Sequence, residues 1–224
     1  MIDAVIFDMD GLMFDTETLN MRAWMEAGAL HGHLITEEMV HVHIGANLQF
    51  TRNLMEKHFG PEFDFDAVRA DRIRIAFEDI KENGMPVKPG LVELLDWLRG
   101  RGFRTAMATS SERRFVDFYL ERSGIRHPFD VIVTGDMVTR SKPEPDIFLK
   151  AAEELRTEPV RCMVLEDSYN GIRAARAAGT VPVMIPDLLP PTLEMERLFH
   201  VKLDSLKEVA PLIEALNSEG GGAS

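Results

Sequence analysis

Asp8 and Asp10 stand one residue apart at the end of an apolar run, Ala4-Val5-Ile6-Phe7, and Gly11 follows them. A buried strand rarely ends in two carboxylates, because each charge must be desolvated or compensated. A bound cation would compensate both. If that cation is Mg²⁺, one carboxylate can attack a phosphorus centre while its neighbour moves protons. Asp-x-Asp-Gly is a short pattern, and its weight comes from what lies downstream. Thr109-Ser110-Ser111 follows a second apolar run, Lys142 sits in Ser141-Lys142-Pro143-Glu144-Pro145, and Glu166-Asp167-Ser168 closes another. Each group has a plain structural reading. Thr109 and Ser110 could cap a helix, Lys142 could lie in a solvated turn, and Glu166-Asp167 could sit at a helix N-terminus. Those readings do not explain four such groups at corresponding strand ends. Two acids, a hydroxyl, a lysine and a second acid pair are the inventory of Mg²⁺-assisted phosphoryl transfer.

The elements that must position these groups are legible as five short apolar runs, at 4–8, 104–108, 131–134, 162–166 and 181–185. Amphipathic segments of helical period lie between the last four and before them. Leu91, Leu94, Leu95 and Leu98 form one stripe, Ile147, Ala151, Ala152 and Leu155 another, and Ile172, Ala175 and Ala178 a third. Strands alternating with helices predict an α/β fold with a doubly wound parallel sheet. Right-handed crossovers then bring every strand's C-terminal end to one edge, where such sheets bind ligands. The segment 15–86 breaks the rhythm. It has no convincing strand, and its stripes are helical, such as Leu19, Ala23, Trp24 and Ala27, then Ile73, Phe77 and Ile80. The expected organisation is a catalytic core of 1–14 and 87–217, an inserted helical cap of 15–86, and a disordered tail of 218–224. An insertion hinged over the functional edge can act as a lid that excludes water.

Composition excludes several classes. The chain has 224 residues and a formal net charge of -12. No basic stripe is present, so no nucleic acid partner is expected. The single cysteine, Cys162, lies in an apolar run and cannot form an internal disulfide. It reads as a small core residue. The N-terminus shows no basic region or cleavage pattern, and no apolar stretch approaches a membrane span. A cytoplasmic monomer with no membrane partner is the expectation.

Asp8-Met9-Asp10-Gly11, Thr109, Lys142 and Glu166-Asp167 resemble the four motifs of the haloacid dehalogenase superfamily. The longer strings from Ser141 to Phe148 and from Glu166 to Gly171 resemble its branch of sugar-phosphate phosphatases and β-phosphoglucomutase. The resemblance implies a Rossmann-like core with a helical cap. It implies that Asp8 is the nucleophile and forms an aspartyl-phosphate, and that Asp10 is the general acid and then the base. It implies that Thr109, with the backbone N–H of Ser110, holds phosphoryl oxygens, and that Lys142 neutralises charge. The cofactor it implies is Mg²⁺, on Asp8, the Asp10 carbonyl and Asp167, with Glu166 nearby or joined through water.

Within that resemblance, Asp10 argues against dehalogenation, since halide needs no proton. Phosphonatases need a cap lysine, and neither Lys57 nor Lys81 sits beside Gly45. A mutase needs a cap histidine where this chain has Asn20, and a distal-phosphate arginine near Leu48. Leucine does not replace a bidentate clamp. Arg52, one turn on, keeps the mutase as the alternative. The expected function is therefore hydrolysis of a small phosphomonoester, a sugar or polyol phosphate, with Asn20, Trp24, Gly45, Asn47 and Gln49 reading its hydroxyls. An inactive binding module on the same fold is the alternative of another class.

Overall fold

The computed structural model describes residues 1–42, 48–126 and 129–220. The chain divides into two compact units, one formed by Met1–Phe14 with the chain from Val87 onward, the other by Asp15–Pro86.

The first unit is built on a parallel sheet of β1 (Ala4–Phe7), β2 (Arg104–Ala108), β3 (Val131–Val133), β4 (Cys162–Glu166), β5 (Val181–Met184) and β6 (Val201–Lys202), in the order β3-β2-β1-β4-β5-β6. The central strand β1 is buried along its whole length, as is β4. Burial on both faces is why these strands read as continuous apolar runs and not as alternating ones. Helices α5 (Leu91–Gly100), α6 (Arg113–Ser123), α7 (Asp146–Glu154), α8 (Tyr169–Ala177) and α9 (Val209–Gly220) supply the covering layers. Ile147, Phe148, Ala151 and Ala152 of α7 join Ala174 and Ala175 of α8 in a core cluster with Ile6, Val133 and Val164. Cys162 belongs to it, fully buried, and burial pushes its thiol up to about 11. A thiol held there is a packing group and not a nucleophile at neutral pH.

Two features differ from the expectation. The sequence shows no sign of β6, because two residues carry no period; it is held by its flanks, His200 donating to the Pro182 carbonyl at 2.7 Å and Leu203 to that of Met184 at 2.9 Å. The tail expected from 218 is helical through Gly220, since α9 continues to that residue.

Among its described residues, the regular elements of the second unit are all helices: α1 (Thr16–Leu30), α2 (Glu37–His41), α3 (Leu48–Phe59) and α4 (Phe65–Asn83). Its own core holds Trp24, Ala27, Ile35, Val40, Met55, Phe63, Phe65 and Val68. The start of α2 is capped by Thr36, whose hydroxyl accepts from Met39 N–H at 3.4 Å, and that of α4 by Asp64, which accepts from Ala67 N–H at 3.0 Å. Such caps satisfy donors that the helix leaves unpaired. Among the described residues, no helix is long and apolar enough to cross a membrane.

Candidate active site

The C-terminal ends of β1, β2 and β4 bring the charged groups together. β1 hands over to Asp8, whose N–H still bonds the Leu165 carbonyl of β4 at 3.0 Å. The chain then turns back on itself: Met13 and Phe14 N–H groups both reach the Met9 carbonyl, at 3.0 and 3.2 Å. Gly11 makes this turn possible at φ 81°, a region that favours glycine. A Cβ at Gly11 would lie 2.2 Å from Asp167 Oδ2, so the site also requires the missing side chain.

Lys142 is the hub. Its side chain is 7% exposed, and its Nζ is hydrogen-bonded to Asp8 Oδ1 and, at 2.6 Å, to Glu166 Oε1. A third bond goes to the Ala108 carbonyl at 3.3 Å, and the ammonium lies 4.9 Å from the centre of the Phe148 ring. Burial by itself would lower the Lys142 ammonium, but the charges and hydrogen bonds of Asp8 and Glu166 outweigh it and hold the group protonated. Glu166 is fully buried, and its other oxygen accepts from Ser168 N–H and Oγ, each at 2.9 Å. Ser168 in turn caps α8 by accepting from Gly171 N–H at 3.1 Å. Both Glu166 oxygens therefore accept hydrogen bonds from the protein, one from Lys142 and the other from Ser168.

Asp10 is held from the end of β2. Its Oδ2 accepts from Ser111 Oγ at 2.8 Å and from Thr109 Oγ1 at 3.5 Å, while Thr109 Oγ1 accepts from Ser111 N–H at 3.0 Å. Ser111 is the residue that sequence reasoning passed over. It stands in the Thr109-Ser110-Ser111 string, but only an aspartate two residues beyond the Asp8 strand end makes its hydroxyl useful. Ser110 is exposed.

Asp8, Glu166 and Asp167 each offer a carboxylate oxygen, all within 4.8 Å of one another. An all-oxygen set suits a hard cation such as Mg²⁺. Electrostatics points the same way. Burial pushes the Asp8 carboxyl up from its ordinary 3.8 to about 8; Lys142 opposes this, and Glu166 and Asp10 add to it. One ammonium is too little positive charge for this cluster, and a dication would supply the rest. A carboxyl raised in the folded state contributes stability that is present in acid, below the unfolded value, and is lost as pH rises through about 8. In EDTA, the thermal midpoint of the wild type is expected to fall more steeply than that of Asp8→Asn between about pH 6 and pH 9. Added Mg²⁺ is expected to lessen that difference.

Gly171 gives a second expected outcome. A Cβ there would lie 1.8 Å from the Glu166 carboxylate carbon. Gly171→Ala must push Glu166 off Lys142, so we expect a loss of about 1–3 kcal/mol in denaturant unfolding and a fall in catalytic rate of at least about tenfold.

Three of the five specificity residues expected on the second unit, Asn20, Trp24 and Gln49, are among the described residues. Gly45 and Asn47 lie outside the described residues. Trp24 is 5% exposed and belongs to that unit's core, its ring 5.9 Å from that of Phe65 and 5.4 Å from the Arg72 guanidinium. An indole buries its large apolar area more favourably there than at a polar surface. Asn20 accepts a 2.7 Å hydrogen bond from Arg72, and Gln49 donates to Asn53 at 2.8 Å on an exposed helix turn. Arg52 grips Asp66 with both guanidinium ends, at 3.0 and 2.5 Å, and lies 4.4 Å over the Phe65 ring.

A family model described as haloacid dehalogenase-like hydrolase matches residues 2–179. The chain belongs to the haloacid dehalogenase-like hydrolases. The parallel core, the helical insertion and the Asp-centred cluster are thus those of a hydrolase of the phosphatase type, as the four motifs implied. This hydrolase is 34% identical over 218 residues to the phosphorylated carbohydrates phosphatase of Thermotoga maritima, covering 96% of this chain and 91% of that protein. Among solved structures, a haloacid dehalogenase family hydrolase from Deinococcus radiodurans, with bound phosphate and sodium, superposes with a TM-score of 0.80 at 27% identity, covering 96% of each chain. The CbbY protein of Rhodobacter sphaeroides, in complex with xylulose 1,5-bisphosphate, gives a TM-score of 0.76 at 29% identity, with 93% of this chain and 96% of that chain covered.

Proposed function

We propose that this hydrolase is a Mg²⁺-dependent phosphatase acting on a small phosphorylated carbohydrate or polyol in the cytoplasm. The observation that carries the reading is the buried Asp8–Lys142–Glu166 triad set beside Asp10 and Asp167. Its likeness to a phosphorylated carbohydrates phosphatase supports the substrate class.

In this reading Asp8 attacks phosphorus with one carboxylate oxygen, and the bond to the leaving alkoxide breaks. Lys142 keeps the attacking carboxylate in place and offsets repulsion between it and the phosphate dianion. Asp10, fixed by Ser111 and Thr109, gives its proton to the leaving alcohol. The same carboxylate then takes a proton from water as the water attacks the phosphorus of the aspartyl-phosphate, and the bond from phosphorus to the Asp8 oxygen breaks, releasing inorganic phosphate and the free Asp8 carboxylate. Thr109 and the N–H groups after it provide donors for the oxygens on which charge is spread. Asp8 and Asp167 would hold Mg²⁺, which supplies further neutralisation of the phosphoryl oxygens when bound.

The mutase alternative needs a second anion clamp, and Arg52 is already committed to Asp66. The test is ³¹P NMR of the protein with Mg²⁺, β-glucose 1-phosphate and a trace of glucose 1,6-bisphosphate. We expect inorganic phosphate to grow, first here and then faster on the preferred member of a sugar-phosphate panel. Growth of glucose 6-phosphate instead would establish the mutase.

A further inference from the structure

Beyond the residues used above, one buried acid next to the cluster has no assigned role. Asp187 lies just past the end of β5, at the same sheet edge as Asp8 and Asp167. Its side chain is only 9% exposed. Oδ1 is paired with Lys88 Nζ at 2.5 Å, but Oδ2 is buried and has no hydrogen-bond partner among the described residues. A buried carboxylate oxygen without a donor is costly and rare. Where it points is informative. The position a Cβ would take on Gly11 is 2.2 Å from Asp167 Oδ2 and 3.4 Å from Asp187 Oδ2. The two carboxylates therefore converge on the turn that follows Asp8 and Asp10.

We propose that Asp187 is a positioning residue for the metal centre: through Oδ2 it accepts a hydrogen bond from the hydration shell of the cation held by Asp8 and Asp167, while Lys88 balances its charge. Mg²⁺ gives up water reluctantly and keeps several waters in such sites, so it brings the donors that Oδ2 needs. Outer partners of this kind orient a metal's ligands and set its affinity. Lys88 suits the balancing role because its backbone is fixed, its N–H bonding the Met13 carbonyl at 2.9 Å. Without that ammonium, Asp187 would add a full negative charge to a site already short of positive charge.

This inference rests on the metal-centre reading above, and the experiment separates the two. The full-length chain, free of metal, is titrated with Mn²⁺ and free ion is followed by electron paramagnetic resonance. Asp187→Asn is expected to raise the Mn²⁺ Kd by about tenfold or more. Lys88→Met is expected to leave the Kd unchanged or to lower it, because the carboxylate stays and its neutralising partner goes. A clamp whose only work is to tie two loops together would instead weaken equally in both variants, and that result overturns the proposal. So does an Asp187→Asn Kd within about threefold of wild type. If Asp187→Asn fails to fold, the double variant Lys88→Met/Asp187→Asn keeps the pair neutral and carries the same expected loss. A wild-type chain that binds no Mn²⁺, or whose binding survives Asp167→Asn, overturns the metal-centre reading itself. Binding that is lost in Asp167→Asn but untouched in Asp187→Asn overturns this inference alone.

Discussion

Asp8→Asn is expected to lower phosphomonoester hydrolysis by at least about a thousandfold while leaving the fold as stable as before, or more so. The amide has the carboxylate's shape but no nucleophilic oxygen for phosphorus. Lys142 keeps two of its three partners, Glu166 at 2.6 Å and the Ala108 carbonyl at 3.3 Å, so its ammonium is not stranded. Burial already works against the Asp8 charge, pushing its carboxyl up to about 8, and the neutral amide removes that cost. Steady-state hydrolysis of p-nitrophenyl phosphate with Mg²⁺, together with a thermal scan in EDTA, measures both halves. Residual activity within about tenfold of wild type would take the nucleophile's role from Asp8.

Lys142→Met acts in the opposite sense on stability. The methionine stem can still lie against the Phe148 ring, but Asp8 and Glu166 are left as buried carboxylates without their shared ammonium. Removing one partner of a buried ion pair costs about 3–5 kcal/mol. We expect a loss of that size in denaturant unfolding, and activity reduced by at least about a hundredfold, since the attack of one anion on another is no longer screened. Adding Glu166→Gln to this variant removes one of the stranded charges. The double variant is expected to recover part of the stability and none of the activity. A Lys142→Met protein as stable as wild type would mean that the three groups are not coupled as their geometry indicates.

The acids of the candidate site were readable because each stands at or just past the end of an apolar run, whereas Lys142 was readable only from its Ser-Lys-Pro string. Ala4–Phe7 and Cys162–Glu166 are buried from end to end, so a carboxylate at or just past the end marks the functional edge. Ser111 and Asp187 were not readable, for a different reason. Their roles depend on which turn folds back beside them, and neither spacing nor period encodes that. The Lys88–Asp187 pair joins residues 99 positions apart. The packing of Trp24 was not readable either, because a Trp on a helical stripe fits equally well in a core or at a binding surface. Here Phe65 and Arg72 cover it. β6 escaped notice because a two-residue strand depends on its neighbours' carbonyls and not on its own composition.

In the proposed reaction the phosphoryl group passes through Asp8. Asp10→Asn should still allow attack on p-nitrophenyl phosphate, whose leaving group needs no proton, but should slow the attack of water, so the aspartyl-phosphate accumulates. Borohydride reduces an acyl phosphate to the alcohol, which turns a phosphorylated Asp8 into homoserine. Mass spectrometry of the tryptic peptide Met1–Arg22, after the Asp10→Asn protein has met substrate and Mg²⁺, then reads the site directly. We expect homoserine at position 8, dependent on substrate and absent from the Asp8→Asn/Asp10→Asn double variant. Homoserine at another carboxylate, or an unreduced Asp8 in a protein that is releasing p-nitrophenol, would contradict it.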